Sequence, residues 1–310
     1  MLTVLLFLLN TLLILFWPRL WIRPTDSFSF NPYVSGPMRF TDRIFAYLNP
    51  VLRLPDQLLA AVVMLIIFTL KTLIMCRIGG VQTLTIGGQF LFSPPLTQTG
   101  IMSDAAGFLM SFSDSALFFL NFWSLFFFTS LITPSEHTRA REAFHFYVQP
   151  FGKLNPALQP LLLILLYAGL LGVMTQLIPN ITPAHLNEPQ TAAASFSPVF
   201  TQGPLPLRAV KTVWMAILAL VQGLDTVCDA LFVLILGNIL CALLRIRTGF
   251  LLCTEFVDMI LGRFSRQGAS QMGIDFTPII FYFVVNLLYT SSSTLLARMI
   301  MAPGIFPIVN

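Results

Sequence analysis

Six runs of this chain are almost purely apolar: residues 2–17, 57–76, 107–132, 157–178, 209–243 and 276–300. A helical crossing of a bilayer takes about 20 such residues. Within hydrocarbon every backbone N–H and C=O must be paired inside the chain, so runs of this kind become helices. The sequence therefore predicts an all-α membrane protein with about six transmembrane helices. Composition agrees: charged residues are 10% of the chain and mean hydropathy is +0.82, where soluble domains carry about 25% charged residues. The first run is short and ends near Trp17 and Trp21, which suit a membrane interface. It has no basic leader and no small-residue cleavage site, so it reads as a retained span. The fifth is too long for one straight crossing. It is expected to begin at the interface around Lys211 and Trp214 and to turn down near Gly223.

Basic residues orient the spans. Arg19, Arg23, Arg39, Arg43 and Arg53 follow the first span. Arg139, Arg141 and Lys153 follow the third, and Arg245, Arg247, Arg263 and Arg266 the fifth. The segments after the second and fourth spans offer Arg77 and Arg208, with Lys211 just inside the fifth. Positive charge collects on cytoplasmic segments, so the three basic linkers are expected in the cytoplasm and both termini outside. The net charge of +4 then calls for no nucleic acid.

This orientation pairs the spans into three tandem hairpins, each a helix, an amphipathic linker helix and a second helix. The units run over residues 1–76, 77–178 and 179–310, the later two each with a preceding outer loop. The second helix of each begins at a proline: Pro55, Pro156 and Pro278. Proline suits a first helical turn, where its missing N–H has no intrahelical partner. The first helix of each carries one asparagine after an apolar run: Asn10, Asn121 and Asn238. The linkers FAYLNPVLRL, FHFYVQPFGKL and FVDMILGRFSR mix large apolar side chains with a basic end. They are expected to lie flat over 45–53, 142–151 and 255–264, with Pro50 and Pro55 breaking the first from its span. The outer loops 77–103 and 179–208 are nearly uncharged and rich in Pro, Phe and Thr. They are expected to be ordered, covering a partner or each other.

The stretch NPYVSGPMRFTDRIFAYLNPVLRLPD, from Asn31, resembles the signature of the YggT (YlmG-like) family. GIDFTPIIFYFVVNLL, from Gly273, resembles that family's entry into its second helix. The chain looks like three copies of the family unit. The middle copy lacks the Gly-Asp entry, and the first has only Leu54-Pro55-Asp56 there. The resemblance implies an accessory protein of the bacterial inner membrane, linked to cell division, osmotic or ion tolerance, or assembly of a larger complex. It implies no enzyme.

The residues that could carry chemistry are few. Asp225 and Asp229 lie one turn apart in the fifth span, and Asp114 has a comparable place in the third. An acid inside a bilayer is costly and therefore a functional candidate. Either a solvated or interhelical role or an ion or proton site fits these three. The asparagines Asn10, Asn121 and Asn238 read as interhelical hydrogen bonders, or as steps of a polar pathway. Lys71 sits toward the outer end of its span and is expected to snorkel there, with pairing to one of the acids as the alternative. Ala168, Gly172 and the run 290–294 read as close-packing surfaces. The basic linker residues Arg43, Arg53, Arg141, Lys153, Arg263 and Arg266 suit anionic headgroups or a partner subunit. Cys76, Cys228, Cys241 and Cys253 show no metal spacing and read as apolar fillers. No nucleophile triad, phosphate loop, metal or cofactor motif is present.

Two function classes follow. One is a non-catalytic scaffold or accessory subunit, bound to membrane lipids and other integral membrane subunits. The other is a small ion or solute channel or transporter.

Overall fold

The computed structural model describes residues 2–21, 31–77, 84–86, 90–93, 104–132, 139–177, 180–183, 205–261 and 277–301. These form nine α-helices: α1 (Leu2–Phe16), α2 (Pro32–Leu52), α3 (Asp56–Arg77), α4 (Asp104–Ile132), α5 (Arg139–Tyr147), α6 (Gln159–Leu177), α7 (Leu205–Leu243), α8 (Arg247–Leu261) and α9 (Thr277–Met301). Four of them, α3, α4, α7 and α9, are long and apolar enough to cross a membrane, while α1 and α6 are shorter apolar helices. The boundaries follow the apolar runs to within a few residues.

Among the apolar helices, α1 packs on α3, α4 on α6, and α7 on α9. Helix α4 also meets α3, and α7 meets both α4 and α6, so α4 and α7 are central. Helix α7 runs unbroken for 39 residues, about 58 Å at 1.5 Å per residue. It does not turn at Gly223. A Cβ at that position would lie 2.7 Å from the Ser124 Cβ and 2.9 Å from the Phe128 ring. The glycine therefore serves close approach of α7 to α4. Gly107 does the same for α4 against α3, where a Cβ would fall on the Cys76 sulfur. Gly172 has no such role, since a Cβ there would meet nothing within 4 Å. Ala168 is partly buried against the main core. In α9, Ser293 is buried, and both it and Thr294 hydrogen-bond back to the Thr290 carbonyl.

The linker helices α2, α5 and α8 gather at one end and touch one another. Helix α2 starts at Pro32 and α8 at Arg247, well before the spans expected from the linker patterns. Pro50 stays inside α2; the break comes at Arg53, whose φ of 50° and ψ of 39° turn the chain into α3. Arg245, φ 56°, marks the parallel break between α7 and α8. Pro55 and Pro278 sit at helix starts, as expected. Pro156 falls in a turn just before α6, where the Asn155 side chain accepts from the Ala157 N–H at 3.1 Å.

At the other end, the two outer loops pair with each other. Strands β1 (Leu84–Ile86) and β2 (Phe90–Ser93) form an antiparallel pair, and β3 (Asn180–Pro183) joins β2 with Phe92 opposite Ile181. Leu84 and Ile86 are buried in the main core. Among the described residues a small sheet thus joins an otherwise mostly helical fold.

Candidate functional site: a buried lysine and aspartate

Helices α1 and α3 each bring one polar side chain, and α4 brings two, to a single point among apolar neighbours. Lys71 of α3 is wholly buried, with 0% of its side chain exposed. Its ammonium donates to Asp114 Oδ2 at 2.5 Å, to Asn10 Oδ1 at 2.7 Å and to Ser115 Oγ at 2.7 Å. Asn10 Nδ2 donates to the same Asp114 oxygen at 2.9 Å, and Ser115 Oγ lies 3.3 Å from Asn10 Oδ1. An ammonium has three donors, and here all three find side-chain oxygens on two other helices.

Lys71 therefore does not snorkel. It sits six residues before the end of α3, about 9 Å along the axis. Asp114 lies ten residues into α4, about 15 Å. Each lies more than one turn inside a helix that is apolar for most of its length. Turning the ammonium out to water would take from the Asp114 carboxylate its cation and from Asn10 Oδ1 its 2.7 Å donor. The carboxylate of Asp114 is 26% exposed on its side chain, so the cluster is closed around the lysine and open on the acid's side. On the same helix, the buried Ser111 and Ser113 hydroxyls have no hydrogen-bond partner among the described residues.

The other sequence candidates go elsewhere. Asn121 accepts from the Tyr167 hydroxyl at 2.8 Å, and that hydroxyl also lies 3.2 Å from Ser124 Oγ, tying α4 to α6. Asn238 has a buried Oδ1 with no partner among the described residues. Asp225 is half-buried and Asp229 exposed. The two interact electrostatically with each other and with Tyr289, apart from the Lys71 cluster. Arg43, Arg53 and Lys153 are exposed and Arg141 half-buried. Arg263 and Arg266 lie outside the described residues. Among the described residues no group of His, Cys, Asp or Glu could hold a metal.

A second polar junction, not anticipated from the sequence, joins the linker helices. Asn31 caps α2 by accepting from the Tyr33 N–H at 3.0 Å, and its Nδ2 donates to the Arg139 carbonyl at 2.8 Å. The Tyr33 hydroxyl donates to Glu255 of α8, whose other oxygen accepts from the Ala140 N–H at 3.3 Å. A carboxylate at the start of α5 is favoured by the unpaired N–H groups there. Burial, and next the Glu255 hydrogen bond, push the Tyr33 hydroxyl above the usual tyrosine range. The Asn-Pro pair is legible as a helix start, whereas its link across 108 residues to Arg139 has no local signal.

No family model matches the chain, and neither a curated protein nor a solved structure matches it.

Proposed function

We propose that this chain is a non-catalytic multi-pass membrane scaffold or accessory subunit, and that the Lys71 cluster is an interhelical clamp within it. The observation that carries this reading is the saturation of Lys71: a fully buried ammonium with all three donors engaged. A group held in that way fixes α1 and α4 to α3 and offers nothing to a passing ion. Long apolar faces remain uncovered within the chain, as at Phe232, Val233, Leu243 and Leu251. They suit lipid or other integral subunits.

Three tandem hairpins with six spans fit the packing of α1 on α3, α4 on α6 and α7 on α9. In this reading the basic linkers face the cytoplasm of a bacterial inner membrane, and both termini lie outside. The likeness to the YggT family rests on residues 31–56 and 273–288.

The partly exposed Asp114 carboxylate, with Ser111 and Ser113 hydroxyls that have no partner among the described residues, favours one rival reading, an ion or proton site. Native purification separates the two classes. A scaffold should co-purify with another integral membrane protein at fixed stoichiometry, and Arg53→Glu should lower that yield severalfold while Asp229→Asn leaves it unchanged. A chain that purifies alone as an oligomer and passes ions would refute the scaffold reading.

A further inference from the structure

Between the Lys71 cluster and the linker junction lies a cavity of about 410 Å³. Its walls come from α1, α2, α4, α5, α7 and α8, including Phe122, Leu125, Ala230, Leu234, Met259 and Ile260. The four hydroxyls on the lining are already engaged. Thr11 and Thr129 donate to carbonyls of their own helices. The Tyr33 hydroxyl donates to Glu255, and the Tyr147 hydroxyl to the Tyr33 carbonyl at 3.4 Å. At ~30 Å³ each, about a dozen waters would fit, yet each needs two to four polar partners that the walls do not supply. The chamber suits hydrocarbon.

Its neighbourhood selects the rest of the occupant. Ala140 lines the cavity and the exposed Arg139 precedes it at the start of α5. Arg139 acts electrostatically on Tyr33, another lining residue. The nearby Glu255 carboxylate is taken by Tyr33 and Ala140, while Glu142 is exposed one turn along α5. The same end carries the exposed cations Arg43, Arg53 and Lys153, and anionic headgroups gather at such surfaces.

We infer that this cavity is a binding site for one acyl chain of an anionic phospholipid, with the headgroup phosphate at Arg139. The site does not depend on whether the chain acts as scaffold or transporter. The linker helices form its rim, so an occupied chamber fills the space beneath the Tyr33–Glu255 junction.

The test uses the full chain in phosphatidylcholine vesicles containing phosphatidylglycerol with a diazirine in its acyl chain. Photolabel should concentrate on Phe122, Leu125, Met259 and Ile260 at least fivefold above the exposed faces at Phe232 and Leu243. The phosphatidylcholine analogue should label the cavity severalfold less, and Arg139→Gln should erase that preference. Ala230→Phe, which fills the chamber, should remove cavity label while leaving label on exposed faces. Ala143→Leu, on another wall, serves the same end should the first variant fail to fold. Label spread evenly over exposed faces, equal cavity label in a folded filled variant, or a peptide found in the cavity in place of lipid would each overturn the assignment. Equal labelling by both lipids would overturn the headgroup part.

Discussion

Asn10 and Asn238 hold the same place in the repeat pattern, each closing an apolar run in the first helix of its unit, and they meet opposite surroundings. Asn10 is buried and bonded to Lys71 and Asp114. Asn238 carries a buried oxygen with no partner among the described residues. Asn121 stands between them, with a tyrosine partner on α6. The difference lies in what neighbouring helices supply. A polar group inside an apolar helix is favourable only where another helix brings a complementary group to the same depth. Helices α1 and α3 receive that group from α4, which carries Asp114 and Ser115. Helix α7 receives none at Asn238 among the described residues.

The largest expected effect breaks the rich end of this comparison. Lys71→Met leaves the Asp114 carboxyl without its cation and should cost about 3 kcal/mol or more in reversible unfolding, the range for half of a buried ion pair. Adding Asp114→Leu should recover most of the loss, because two apolar side chains need no compensation there. Next is the close approach of α7 to α4. Gly223→Ala drives a methyl into Ser124 and Phe128 and should cost about 1–3 kcal/mol by overpacking, read as a lower midpoint on heating in detergent. Tyr167→Phe removes the α4–α6 hydrogen bond to Asn121 and should cost about 1 kcal/mol. The smallest effect sharpens the poor end: Asn238→Leu should change stability by no more than about 0.5 kcal/mol, or raise it, since it deletes a polar group with no partner among the described residues. A loss as large as that of Lys71→Met would show that Asn238 has a partner after all.

Much of the helical layout was legible because a bilayer solvent demands it. Apolar runs fixed the helix ends at α3, α4, α6 and α9 to within a few residues, and prolines marked the starts of α3 and α9. The Lys71 cluster was legible only in pieces. Asn10 and Asp114 stand out as lone polar residues in apolar helices. Their meeting depends on contacts 61 and 104 residues apart in sequence, which no periodicity reports. For Lys71 its own helix leaves two outcomes, snorkelling or pairing with an acid, and the second is found. A lysine about 9 Å from a helix end can reach water, and only the neighbouring acid and amide decide otherwise. Gly223 misled in a related way: its meaning lies in Ser124 and Phe128 on α4, and α7 itself stays helical through it.

In the reading proposed above, the buried charge cluster clamps helices and conducts nothing. Proton and sodium flux into proteoliposomes, measured for the wild type beside the folded Lys71→Met/Asp114→Leu pair, tests it most directly. The account predicts flux at the level of empty vesicles for both proteins. Flux through the wild type that disappears in the pair variant would contradict it.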